Sequence, residues 1–381
     1  MVSWTFVAVV LVLAVLGAWL PRIARPVVLA AVSVVAVGAI WKVPVVPLLA
    51  ATVAVWALGA VLPRLDEHPR SWALAASVGA VVAGLALCRS GGGDGTTLAA
   101  PIRVVGVSYV ALKFIQHLVD AAAGRAATVD LPAFVRVIFF VPTYASGPIE
   151  STTGFGAKSG DPSWTAIATG VERIVFGLGK KFLLADPLLA FAEPAFHDPA
   201  AATTRTLLLA TYAFALGLYL DFAGYSDIAI GSGQCLGVPV RENFNWPYLS
   251  ADLATLWQRW HMSFTGWLRD FVFVPVTRRV LRRTKRPLAS QVTGQMATML
   301  ACGLWHGVAW HYAAWGAYHG IGLGSLSIWR ARRGTPGERS TARTALATVA
   351  TFHFFAFGLV LFACDLRRAA VFASRLLGVG R

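Results

Sequence analysis

LASQVTGQMATMLACGLWHGVAWHYAAWGAYHGIGLGSLSIW (288–329) is 42 residues long and contains no Asp, Glu, Lys or Arg. A membrane-spanning helix needs about 20 mostly apolar residues. The stretch therefore fits two helices folded back on each other. Its flanks are basic. Arg278, Arg279, Arg282, Arg283, Lys285 and Arg286 precede it with no acid among them, and Arg330, Arg332, Arg333, Arg339 and Arg343 follow. Basic loops are retained on the cytoplasmic side, so both ends of the hairpin are expected there, with its middle at the opposite face.

The rest of the chain agrees. Charged residues make up 13% of the 381 positions, against roughly 25% in soluble proteins. Apolar residues make up 57% and the net charge is +15. So few charges cannot cover a soluble surface. The expected fold class is all-α: a polytopic membrane protein of roughly ten to twelve segments, read as one membrane domain over 1–381. In a membrane protein the positive excess belongs to cytoplasmic loops rather than to nucleic-acid binding. The four cysteines are widely spaced and suggest neither a disulfide frame nor a thiolate metal site.

Apolar runs outside the hairpin cover Val2–Leu20, then about 27–41, 43–62, 72–88 and 102–120. The first lacks a basic leader and a small-residue cleavage site, and is read as a retained helix. RSGGGDG (89–95) reads as a flexible loop. Residues 131–148 carry Pro132, Pro142 and Pro148, which predicts a broken or re-entrant helix. Further runs cover 166–185, 204–221 and 345–364. Within 255–271, Trp257, Trp260, His261, Phe264, Leu268 and Phe271 recur at helical spacing, which predicts an amphipathic interfacial helix.

An ionisable side chain inside a membrane is costly and so marks a candidate site. His306 stands out in CGLWHGVAW (302–310), with Trp305 and Trp310 around it and Gly303 and Gly307 allowing close approach. It is the nineteenth residue from Leu288, near the turn of a plain hairpin. Its access should therefore favour the outer side. A neutral imidazole bonded to a neighbouring helix is the plainer alternative. His306 and His311 are five apart, unlike an i, i+4 metal pair, and no HExxH occurs, so no metal site is expected. Cys302 lies one turn before His306 but has no nearby cation to stabilise a thiolate. No GxSxG elbow is present, and GSGQCLG does not follow a strand. Asp221, Asp227 and Asp252 are expected to cap helices or to pair with Arg241, Arg259 or Arg269.

Six blocks, in order, resemble the membrane-bound O-acyltransferase family, in its bacterial alginate O-acetylation and teichoic-acid D-alanylation branch. They are VGVSYVALKFIQHLVDAAAG (105–124), VPTYASGPIE (141–150), FGLGKKFLLADPL (176–188), LDFAGYSDIAIGSGQCLGVPVRENFNWPY (220–248), LWQRWHMSFTGWLRDFVFVPV (256–276) and GLWHGVAWHYAAWGAYHG (303–320). The two histidine motifs stand 45 residues apart. The motif-bearing core runs over 101–381, whereas the first hundred residues match poorly. Glu150 stands where a basic residue is expected soon after Gly-Pro-Ile, and Gln258-Arg259 stands where the family often has two arginines.

The resemblance implies a helical membrane core with a tunnel, a catalytic histidine at His306 and a second characteristic histidine at His261. It implies acyl transfer from a thioester to a hydroxyl of a cell-envelope or secreted acceptor. A neutral imidazole would take the hydroxyl proton, and a hydrogen-bond donor must meet the oxyanion. Asn243, Asn245, Trp305, Tyr225 and Trp260 are the candidate substrate-binding residues. The donor would be acyl-CoA or an acyl or aminoacyl carrier protein on the cytoplasmic side, and no tightly bound cofactor is expected. The acceptor, or a partner acyltransferase, would lie on the outer side of a bacterial cell membrane. The basic loops could attract an acidic carrier or serve only topology and anionic lipid. Two other classes remain: a transporter or channel for an acyl donor, lipid or polymer, and a non-catalytic scaffold.

Overall fold

The computed structural model describes residues 6, 8–10, 12–13, 25–90, 101–125, 129–153, 155, 160–333 and 340–379. Most of the first apolar run, most of the 89–95 loop and Arg339 lie outside the described residues. Among the described residues there are helices and no strand. The chain forms two compact units. One is Met1–Leu178 with Gly224–Glu242, and the other is Gly179–Ala223 with Asn243–Arg381.

In the first unit the helices are α1 (Arg25–Trp41), α2 (Val45–Val61), α3 (Glu67–Ser90), α4 (Pro101–Ala122), α5 (Leu131–Phe139), α6 (Val141–Tyr144) and α7 (Trp164–Leu178). The proline-rich segment is broken as expected. Asp130 caps α5, its Oδ1 accepting the Ala133 N–H at 2.7 Å, and the chain restarts as α6 after Phe140. Two buried polar groups here are tied to backbone. Lys113 Nζ donates to the Val137 carbonyl at 2.8 Å, and the Tyr225 hydroxyl donates to the Pro142 carbonyl at 2.9 Å. Glycines let α7 touch the 224–235 helix backbone to backbone. A Cβ on Gly170 would lie 2.7 Å from the Gly231 carbonyl oxygen.

The second unit holds α8 (Asp186–His197), most of α9 (Thr204–Cys235), α10 (Leu253–Arg259), α11 (Met262–Leu268), α12 (Val274–Thr284), α13 (Pro287–His306), α14 (Trp310–Arg333), α15 (Thr341–Ala363) and α16 (Leu366–Leu376). Residues Gly224–Cys235 of α9 belong to the first unit. α9 corrects the expectation of a run ending at Asp221. It continues to Cys235, a length of about 48 Å at 1.5 Å per residue. The charge does not stop it because Lys181 meets the Asp221 carboxylate at 2.7 Å. Lys181 also pairs with Asp186, from a wide π turn over Gly179–Ala185.

Among the described residues, four stretches are long and apolar enough to cross a membrane: Val45–Arg64, Glu67–Cys88, Thr204–Cys235 and Thr341–Ala363. α13 and α14 form the predicted hairpin, with a turn at Gly307–Ala309. They fall outside that group because their inner faces are polar or small. The Gln291 and Gln295 amides reach the Ser327 hydroxyl at 3.1 and 2.9 Å. A Cβ on Gly316 would lie 2.4 Å from the Met299 carbonyl oxygen, one on Gly320 would lie 2.8 Å from Met296 Sδ, and one on Gly324 would lie 3.2 Å from Val292. The pairing descends on α13 as it ascends on α14, so the helices run antiparallel. Small residues permit this close packing where lipid offers no hydrophobic drive.

Candidate active site

His261 does not sit in a continuous amphipathic helix. This corrects the single-helix reading of 255–271. α10 stops at Arg259, Trp260 is extended, His261 is left-handed at φ 43°, and α11 starts at Met262. A left-handed conformation is uncommon outside glycine but enriched for histidine. The neighbouring strand-like loop holds the break on both sides. The Asn245 N–H donates to the Arg259 carbonyl at 3.0 Å, and the Met262 N–H donates to the Asn243 carbonyl at 2.8 Å. The Asn243 side-chain oxygen accepts from the Ser263 hydroxyl at 2.9 Å. The apolar spacing that suggested one helix comes instead from two short helices, each burying one face.

The other end of α10 is fixed by Asp252. Its Oδ1 accepts the Thr255 N–H at 2.9 Å, and its Oδ2 meets the Arg330 guanidinium at 3.0 Å. Capping was expected; the ionic partner was not. Asp221 likewise pairs with Lys181, and Asp227 pairs with Arg173 at 3.0 Å, rather than with Arg241, Arg259 or Arg269. Arg241 instead faces the Glu150 carboxylate at 3.5 Å. These partners lie far apart in the chain, and proximity in sequence carries no information about them.

The His261 ring is 3% exposed and packs edge-on to Phe222, with centroids 4.6 Å apart. A run of ring contacts then leads to His306. His261 meets Phe264 at 5.0 Å, Phe264 meets Trp305 at 4.4 Å, and Trp305 meets His306 at 4.8 Å. His306 is the last residue of α13 and is half-buried. Phe362 of α15 and Trp315 of α14 stand edge-on to its imidazole at 4.8 and 5.6 Å. Gly303 and Gly307 give the close approach expected of them, both against Tyr312. A Cβ on Gly303 would lie 2.1 Å from the Tyr312 carbonyl oxygen. Cys302 is buried within the same helix.

The fold thus gathers His261, His306, Trp305, Trp260, Asn243 and Asn245 in one unit. Trp260 is buried among Phe244, Tyr248 and Phe355, the last at 4.9 Å. Tyr225 belongs to the other unit, where its hydroxyl also accepts the Ser146 N–H at 3.3 Å. Trp315 and Phe362 were not singled out from sequence, and Phe264 was noted only for its helical spacing, although Phe264 and Trp315 lie within the motif blocks. Their signal was their aromaticity near a histidine.

Two histidines from separate elements are thus joined through aromatic rings. The membrane-bound O-acyltransferase family model matches residues 34–364. The chain belongs to the membrane-bound O-acyltransferase family. A teichoic acid D-alanyltransferase of Bacillus subtilis is 31% identical, over 68% of this chain and 69% of its own length. A probable alginate O-acetylase of Pseudomonas aeruginosa is 33% identical, over 68% of this chain and 49% of its own. A peptidoglycan O-acetyltransferase of Helicobacter pylori is 29% identical, over 60% and 43%. The chain thus spans about half or less of two of these three relatives. These relatives are named as acyltransferases, and the family to which the chain belongs is one of acyltransferase enzymes.

Proposed function

We propose that this protein, in a bacterial cell membrane, moves an acyl group from a thioester donor to a hydroxyl of a cell-envelope or secreted acceptor, with His306 as general base. The observation that carries this reading is the half-buried His306 at the end of α13, framed by Trp305, Trp315 and Phe362 and linked through Phe264 to His261. His306 takes the hydroxyl proton as the acceptor oxygen attacks the thioester carbonyl. The tetrahedral oxyanion collapses, the carbon–sulfur bond breaks, and the thiolate leaves with the proton that His306 gives back. The Trp305 indole, beside His306, supplies a donor to the oxyanion.

In this reading His261 supports the reacting groups from its buried position, and Asn243 and Asn245 act by holding His261. Trp260 packs behind them, and Tyr225 orders the Pro142–Ser146 turn. The donor is acyl-CoA or an acylated carrier protein, approaching from the cytoplasmic side where the arginine clusters lie. The acceptor, or a partner acyltransferase, approaches from the outer side.

The test uses the full chain in nanodiscs. Acetyl-CoA and a D-alanylated carrier protein serve as donors, with lipoteichoic acid, alginate and peptidoglycan fragments as acceptors. His306→Ala should reduce acyl transfer by about 10²–10⁴-fold, the usual range for a general base. Turnover equal to the parent would sink the assignment of His306.

A further inference from the structure

Behind His306, away from Trp305, three buried rings meet. Trp315 and His319 lie one turn apart on the same face of α14, with centroids at 4.9 Å. Trp257 of α10 stands perpendicular to His319 at 5.2 Å and meets Trp315 at 5.8 Å. His319 is completely buried, and the two tryptophans are nearly so. Phe354, Phe355 and Tyr318 close the cage around the imidazole. Four nitrogens in this group, both indole Nε1 atoms and both ring nitrogens of His319, have no hydrogen-bond partner among the described residues.

Buried polar atoms are rarely left unpaired, and a set of them in one place calls for a guest. The inventory says which guest. Each indole offers only a donor, and a neutral imidazole offers one donor and one acceptor. The three side chains hold three donors and a single acceptor, so they cannot satisfy one another. A water molecule accepts both indole N–H groups and donates to the imidazole lone pair. That gives three hydrogen bonds, the usual number for a buried water. Gly358 packs closely against this side of the ring. A Cβ there would lie 3.1 Å from His319 Nε2.

We propose that Trp257, Trp315 and His319 hold one buried water between them, and that this polar node positions Trp315 and, through it, the imidazole of His306. Trp315 is the ring shared by the two histidines, since it stands edge-type to His319 at 4.9 Å and to His306 at 5.6 Å. A general base works only when its ring is held in the productive orientation. The node therefore makes His319 and Trp257 positioning residues for the transfer reaction. The effect on His306 rests on the acyltransferase reading, whereas the water itself does not.

The test is a double-mutant cycle on the full chain in nanodiscs, with His319→Phe, Trp257→Phe and the pair together. Each single variant should lower kcat about tenfold with the KM for acetyl-CoA unchanged. The pair should also lose about tenfold rather than a hundredfold, because one water is lost in every case. His319→Gln, which keeps a donor and an acceptor, should recover to within about threefold of the parent. Melting temperatures should show the same non-additivity. Parental kcat and melting temperature in His319→Phe would mean that the rings only pack, through N–H···π contacts, and would overturn the proposal. Losses that multiply in the pair would overturn it too. If His319→Phe does not fold, Trp257→Phe and His319→Gln carry the test. If the parent transfers nothing from acetyl-CoA, the melting cycle still decides the water, and the failure belongs to the donor assignment.

Discussion

The two histidines are held in opposite ways. Around His261, residues 243–268 alternate loop with short helices. Two short helices are broken at a left-handed residue and stitched by hydrogen bonds to a neighbouring loop. Around His306, residues 287–333 are two long helices in glycine-mediated contact, and the histidine sits at the end of one. The first arrangement buries its imidazole and fixes it through polar bonds. The second leaves its imidazole half-exposed, with aromatic rings standing edge-on to it. A reacting base must reach substrate, so the accessible histidine is suited to proton transfer and the enclosed one to support.

Substitutions can break this contrast, and the largest effect should come from His306. His306→Ala is expected to cost about 10²–10⁴-fold in transfer rate. His261→Ala should cost less, and an assay in which the two lose equally would erase the distinction. Gly316→Leu should be next. It forces a side chain into the Met299 backbone, and overpacking typically costs about 1–3 kcal/mol or more. A melting temperature equal to the parent would show that the hairpin does not rely on close approach. Asn243→Ala leaves Ser263 without its acceptor and should cost about 1–3 kcal/mol of stability. Its activity loss should exceed that of any single change on the exposed face of α12. Asp252→Ala removes a cap worth about 1 kcal/mol along with the contact to Arg330. Arg330→Ala removes the contact alone, and a smaller melting shift is expected. The smallest effect should come from Arg282→Gln on exposed α12, about 0.5 kcal/mol or less.

The hairpin was legible because a membrane leaves a plain record in sequence. Forty-two charge-free residues between arginine clusters admit few other readings. The position of His306 at its turn followed from counting. The break at Trp260–His261 was not legible. Trp257, Trp260, Phe264 and Leu268 keep helical spacing across it, and periodicity carries no signal for a single left-handed residue. The ion pairs were illegible for a different reason. Lys181 with Asp221, and Arg330 with Asp252, join residues far apart in the chain, and arginine within a basic cluster reads as topology. The length of α9 was missed because Asp221 looked like a terminus, when its charge is neutralised by an interior lysine.

Gly307, Val308 and Ala309 form a turn of only three residues after His306, and Val308 and Trp310 are 77% and 82% exposed. His306 and two of the most exposed side chains of the hairpin are therefore adjacent in the chain yet independently supported. The glycine contacts and the rings hold the histidine, and none of them needs Val308. On the proposed reading of His306 as the base, the turn can therefore vary without loss of that base. A library confined to Val308 and Trp310 is expected to alter acceptor choice at constant fold, and transfer to a panel of acceptors checks it.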